Sequence, residues 1–294
     1  MSHTTSRLRS LIVILFGIYL FVYPWSILLV ALDLVPVWGA WVGGALLIIQ
    51  GTVMGLWLTA HYGRHGALAA LLILGISWAV EHLGVLTGFP FGTYSYTDVL
   101  IPKIFGIVPL AIPFAWLLVV PAAVGVTERL LGVGNKAAQS ARSAWLSRVL
   151  GAASFALLLD VTIEPVAVHI SGYWIWNDGG GYYGVPNSNF IAWWVTSVLL
   201  VGVLYFCIHI RRKAQELAPA LQSPGSRPAM LTWLPSALYL LNLTMFVLVN
   251  LAHGQIGAAA IGVLILAYLI FEWIEPGLRR WILGVQANRR QPGA

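Results

Sequence analysis

Charged residues are scarce in this 294-residue sequence: Asp, Glu, Lys and Arg make up 9% of it, against 59% hydrophobic residues. That leaves too little polar surface to cover a soluble fold of this size, and a mean hydropathy of +0.84 points the same way. Cysteine is almost absent. Cys207 stands alone, which excludes an intrachain disulfide, a CxxC metal knuckle and a thiol redox pair. There is no P-loop, GxGxxG, HExxH or nucleophile elbow in a suitable setting. No internal repeat of the kind that builds inverted-repeat transporters is visible. A cleavable signal pattern is also missing, because the apolar run that follows Arg7 and Arg9 is too long for a signal core and lacks a small-residue cleavage site.

What the chain has instead is hydrophobic length. A spanning helix needs about 20 mainly apolar residues, and eight segments qualify, at about 10–32, 38–60, 67–86, 104–126, 147–170, 190–210, 231–251 and 256–275. With the N-terminus placed in the cytoplasm, every Lys and Arg except Lys103 falls on the inner side, the bias expected of cytoplasmic loops. The sequence therefore predicts an all-α, polytopic transmembrane helix bundle of about eight spans, a single integral domain over 1–294 in the cell membrane with both termini cytoplasmic. The inner stretches 127–146 and 211–230 are basic, rich in small residues and punctuated by Gly or Pro, which reads as solvated linker. The net charge of +6 then reflects topology, and no nucleic-acid partner is expected.

Against this apolar background three acids stand out. Asp160 and Glu164, in LLLDVTIEPVAV, are spaced i,i+4 and share a helix face. Pro165 cannot coexist with an undisturbed carbonyl at Val161, so the helix kinks or opens beside them. At the helical rise, Asp160 lies about 15 Å and Glu164 about 9 Å from the outer end of their span, and Glu81, in SWAVEHLGVL, about 7.5 Å from the outer end of its own. Each such acid costs about 2.5–3.5 kcal/mol near the centre of a spanning helix, which makes it a functional candidate. The plainer reading is a protonated carboxyl serving as a helix–helix hydrogen bond. With no Lys or Arg inside the spans to neutralise three acids at similar depth, at least one should hold its proton, the usual division between general acid and general base.

Two outer connections, TGFPFGTYSYTDVLIPK and GYWIWNDGGGYYGVPNSNFIAWW, are dense in Gly, Pro and aromatics and poor in solvating residues, so they should fold back onto the bundle mouth. Trp193 and Trp194, at the start of a helix, fit an interfacial belt. Tyr94, Tyr96, Trp174, Trp176, Tyr182 and Tyr183 alternate with turn formers and read either as belt or as a shaped turn whose ring faces could hold a polyene or stabilise a cation. His61 and His65 are spaced for a metal but flank Gly63 and Arg64 at a helix end, where interfacial residues are the simpler reading; no metal site is expected. The acid pair lacks the second acidic cluster and nearby cations of a prenyltransferase diphosphate site.

Gly88–Trp116 and Leu159–Trp194 carry PFGxYxY, a carboxylate–Pro pair deep in a helix, WxW and YYGVPxxNF, in that order. As a set these resemble the membrane-bound carotenoid 1,2-hydratases, the group that includes bisanhydrobacterioruberin hydratase and γ-carotene 1′-hydratase. Strong matching covers roughly a quarter of the chain, from the third helix to the start of the sixth. The resemblance implies cofactor-independent addition of water to the terminal ψ-end double bond of an acyclic carotenoid end group, giving a tertiary alcohol. Its implied partners are a carotenoid dissolved in the bilayer and other carotenoid-pathway enzymes.

Joined to the residues, this gives a working scheme. A carboxyl of Asp160 or Glu164 protonates the alkene, an ionised Glu81 and aromatic faces such as Trp174 or Tyr94 stabilise the tertiary cation, and water held near Asp98, Asn187 or Asn189 adds to it. Two alternatives stay open: a membrane carotenoid cyclase, which uses the same cation but quenches it internally, and a proton-coupled transporter in which the acids form a relay.

Overall fold

A computed structural model describes residues 3–133, 141–217 and 231–289. Eight helices account for most of these: α1 (His3–Ala31), α2 (Val42–Tyr62), α3 (Arg64–Thr87), α4 (Ala111–Val133), α5 (Ala141–His169), α6 (Asn187–Leu217), α7 (Leu234–Ala252) and α8 (Ile256–Arg289). Each contains a stretch long and apolar enough to cross a membrane, as the lengths of the apolar runs predict. The chain is thus a multi-pass membrane protein of the all-α class. Helices α4, α5 and α6 each carry on past the predicted span at the basic end, so 127–133, 141–146 and 211–217 are helical and not linker. Residues 134–140 and 218–230 lie outside the described residues. Glu128, on the last turns of α4, explains part of this extension: it accepts hydrogen bonds from the Tyr205 hydroxyl at 2.6 Å and pairs with Arg148 at 3.0 Å.

Helix α4 is apolar all round and occupies the centre, with 72% of its spanning window buried and α2, α3, α5 and α7 packed about it. The close approach of α2 to α4 depends on Gly51, where any Cβ would meet the carbonyl oxygen of Phe114. The peripheral helices α1 and α8 keep long apolar faces outward, as a lipid-facing surface requires. Between α2 and α3 the chain reverses at the single residue Gly63, whose φ of 62° favours glycine. That turn places His61 and His65 on different helices, so their i,i+4 spacing does not put them on one face. His61 instead stacks on Trp57 with ring centroids 4.1 Å apart.

The other departures from all-helical expectation lie at the end of the bundle that carries the aromatic connections, here the aromatic end. Helix α4 begins at Ala111 and not near 104, because Lys103–Ile104 (β2) and Val108–Pro109 (β3) pair as a tight hairpin turned through Phe105 and Gly106. Tyr94–Tyr96 (β1) and Trp174–Trp176 (β4) form a second antiparallel pair with Tyr94 opposite Trp176, Ser95 opposite Ile175 and Tyr96 opposite Trp174. Tyr94, Tyr96, Trp174 and Trp176 therefore lie in a two-stranded sheet and not in a turn, whereas Tyr182 and Tyr183 do sit in a turn, closed by the bridge between Tyr182 and Val185. Because side chains alternate along a strand, Ser95 and the 55% exposed Ile175 face away while the four aromatic rings share the inner face.

Candidate active site

That inner face covers the acids. Along β1 the hydroxyls of Tyr94 and Tyr96 donate to Glu81 Oε2 at 2.7 and 2.8 Å. Along β4 the indole N–H groups of Trp174 and Trp176 both donate to Glu164 Oε2 at 3.1 Å. Each strand thus holds one carboxylate, and the strand period explains why PFGxYxY and WxW space their rings by two. Trp116 of α4 completes the set on Glu81, its Nε1 donating to Oε1 at 2.9 Å. Asn189, on the first turn of α6, directs Nδ2 to Glu164 Oε1 at 2.9 Å and to Asp160 Oδ2 at 3.4 Å. All four groups are buried, with Glu81 5%, Asp160 0%, Glu164 1% and Asn189 1% exposed.

The three carboxyls differ in what surrounds them. Glu81 and Glu164 each accept three protein donors. Among the described residues, Asp160 receives only the long contact from Asn189, and its Oδ1 is buried without a partner. Donors aimed at an oxygen favour its charged form, so the surroundings of Glu81 and Glu164 offset the cost of a negative charge better than those of Asp160 do.

Glu81, Glu164, Asn189 and the four sheet aromatics line one cavity of about 600 Å³. It extends from the carboxylates to α1, the 33–40 connection, α2 and α7, and its wall passes from buried Trp116 to Trp25 and Trp38, which are 57% and 78% exposed on the apolar surface. Asp160 does not line this cavity; it sits behind Asn189 and Glu164. Trp193 does, stacked on Trp116 at 4.0 Å, so the belt reading of Trp193 is corrected. Trp194 points elsewhere, to Ser154 Oγ at 3.3 Å.

Four further candidates take positions outside the cavity. Asp98 is exposed and bound to Lys103 Nζ at 2.8 Å, which holds its carboxyl below the usual aspartate range. Lys103 also donates to the Tyr96 carbonyl at 3.0 Å, so this pair braces β1 and does not hold water for the site. Asn187 is exposed at the start of α6. The Tyr183 hydroxyl oxygen accepts from the Gly257 and Ala258 amides at 3.1 and 3.3 Å, satisfying the otherwise unpaired N–H groups that open α8. The Tyr182 hydroxyl donates to the Val161 carbonyl at 2.9 Å, the group that Pro165 displaces. Asn250 and Gln255 serve the same opened stretch through the carbonyls of Thr162 at 2.9 Å and Pro165 at 3.2 Å. Tyr182→Phe is accordingly expected to lower stability by about 1–3 kcal/mol, the cost of an unsatisfied buried carbonyl, measured as a lower melting temperature in detergent.

Asp178 closes the sheet at its far side, accepting from the Thr93 amide at 2.6 Å and from the Thr93 hydroxyl, which together keep its carboxyl below the usual range. Among the described residues no cluster of three or more His, Cys, Asp or Glu has metal-binding geometry.

Fold and site together define a polytopic membrane protein with three buried carboxyls under an aromatic sheet, two of which, Glu81 and Glu164, face a cavity that runs to the bundle's apolar surface. The chain belongs to the family described as "Carotenoid biosynthesis protein", which matches residues 42–269. Bisanhydrobacterioruberin hydratase of Haloarcula japonica is 32% identical to it over 157 residues, 52% of this chain and 50% of that protein. The match thus spans about half the length of the curated relative. No solved structure gives a significant match.

Proposed function

We propose that the protein is a cofactor-independent hydro-lyase of the cell membrane, adding water to the terminal ψ-end double bond of an acyclic carotenoid. The observation that carries this reading is the pairing of buried carboxyls with aromatic faces at one end of a cavity whose other walls are apolar. A polyene tens of ångströms long needs such a lateral berth, and alkene protonation needs both a loaded acid and a stabilised cation. The named relative supports the same chemistry.

In this scheme the Asp160–Glu164 pair holds one proton. Glu164 faces the cavity and presents it, while Asp160, short of donors, keeps it in store. The proton goes to the CH carbon of the double bond as the carboxyl O–H breaks, leaving a tertiary cation at the carbon that bears two methyl groups. Glu81, its oxygens already fixed by Tyr94, Tyr96 and Trp116, opposes the cation at no reorganisation cost. The faces of Trp174 and Trp176 add cation–π attraction. Water then adds, its proton passes to a carboxylate, and exchange within the cluster reloads the pair.

Expression in cells that make an acyclic carotenoid such as lycopene tests the reading. The expected product gains the mass of one water per reacted end. A product of unchanged mass but altered spectrum would show a cyclase instead, and unaltered pigment would remove the proposal.

A further inference from the structure

The aqueous candidates of the aromatic end, Asp98 and Asn187, lie outside the cavity, and the Asn189 amide nitrogen is committed to two carboxyls. The cavity does contain a second polar group, deeper than Glu81 and Glu164 and built from different helices. Asn242 of α7 donates through Nδ2 to Gln50 Oε1 of α2 at 2.7 Å and to the Leu238 carbonyl at 2.8 Å. Both residues line the cavity and are buried, at 5% and 4% exposure. Among the described residues, neither Gln50 Nε2 nor Asn242 Oδ1 has a protein partner, which leaves one donor and one acceptor on a hydrogen-bonded pair of side chains that lines the cavity. Tyr19 of α1 lines the same cavity, is 2% exposed, and its hydroxyl is buried with no partner among the described residues. At the helical rise, Gln50 lies about 12 Å, Asn242 about 15 Å and Tyr19 about 18 Å from the aromatic ends of their helices, against about 9 Å for Glu81 and about 7.5 Å for Glu164. The adjoining hydroxyl, that of Tyr23, is already used on the Leu241 carbonyl at 2.7 Å.

Unused donors and acceptors buried in a spanning bundle cost free energy unless something fills them. What fits is set by their chemistry. All three side chains are neutral, so an ion gains no compensation there, and a hydrocarbon would leave every group unsatisfied. A single O–H group can donate to Asn242 Oδ1 and accept from Gln50 Nε2 while the Tyr19 hydroxyl turns to suit, and a buried water needs two to four such partners.

We propose that Tyr19, Gln50 and Asn242 form the water site of the reaction, holding the nucleophile before addition and the tertiary hydroxyl after it. The inference rests on the hydratase reading and deepens it. The acid pair approaches the end group from α5, and water is presented from the α1, α2 and α7 side. The oxygen lone pair forms the C–O bond to the cationic carbon, and the oxonium gives its second proton to a carboxylate, Glu81 in the scheme above. Alkene and water are consumed, one alcohol is formed, and no oxidant or reductant is needed. A site of this kind decides the fate of the cation: with water in place it is captured, and without water it returns a proton and reverts to alkene.

The test separates capture from cation formation. Full-length protein carrying Gln50→Leu, Asn242→Leu or Tyr19→Phe is placed in membranes containing an acyclic carotenoid, in D2O, and both hydrated product and deuterium in the recovered alkene are measured by mass spectrometry. Tyr19→Phe removes one oxygen and serves as the variant that keeps packing intact. The expected result is at least a tenfold fall in the ratio of alcohol to labelled alkene, with labelling continuing as reversion replaces capture. Variants that hydrate like the wild type overturn the inference and leave the hydratase reading standing, as do variants in which alcohol and label fall together. A wild type that neither hydrates nor labels the carotenoid overturns both.

Discussion

Glu164→Gln is expected to abolish hydrated product, with a loss of about 10²- to 10⁴-fold, the usual contribution of general acid–base catalysis. The substitution is nearly isosteric, and Gln can keep one carbonyl oxygen under the Trp174 and Trp176 indoles, which hold Glu164 Oε2 at 3.1 Å. The fold should therefore survive, so lost activity would report the missing proton and not a collapsed site. Asp160→Asn should show the same loss for a different reason, since Asp160 does not reach the cavity and in the proposed scheme stores the proton. The measurement is the pigment profile of cells producing each variant, together with the amount of folded protein in the membrane. Full retention of the hydrated carotenoid by both variants would eliminate the pair as proton source.

A second large effect is expected at Glu81. Glu81→Gln removes the negative charge that the proposed scheme sets opposite the cation, while keeping an acceptor for Trp116, whose Nε1 can only donate. The Tyr94 and Tyr96 hydroxyls, which now donate to Oε2, can rotate and accept from the new amide. Protein yield should therefore hold while turnover falls by about 10²- to 10³-fold, the scale seen when preorganised charge stabilisation is lost. Glu81→Leu should do more, leaving three buried donors without a partner at about 1–3 kcal/mol each. A Gln variant as active as wild type would mean that aromatic faces alone stabilise the cation.

Much of this architecture is legible in the sequence, because membrane spans announce themselves by length and intramembrane acids by their cost. Eight spans and the trio of Glu81, Asp160 and Glu164 follow from such local signals. The sheet does not. YSY and WIW each show the period-two alternation, but three residues are too few to declare a strand, and their pairing depends on two connections far apart in the chain. The lining from α1, α2 and α7 is equally hidden, since an apolar span does not say which of its faces meets lipid. Gln50 and Asn242 were the available clue: two amides inside otherwise apolar runs, each needing a partner. Trp193 illustrates the reverse error, because a tryptophan near a helix start looks the same whether it meets lipid headgroups or stacks on Trp116.

The aromatic sheet has a consequence for traffic. Its inner rings grip Glu81 from one strand and Glu164 from the other, while Thr97 ties β1 to the chain before β4 through the Gly172 carbonyl at 2.6 Å. Raising this roof would break the hydrogen bonds to both acids at once, so in the proposed reaction the ceiling is expected to stay shut. In the proposed reaction guest molecules would then come and go sideways, past Trp25 and Trp38, which line the cavity and are exposed on the apolar surface. In the proposed reaction an alcohol leaving by that route would stand in the path of the next polyene, so turnover is expected to slow when the product accumulates in the surrounding lipid.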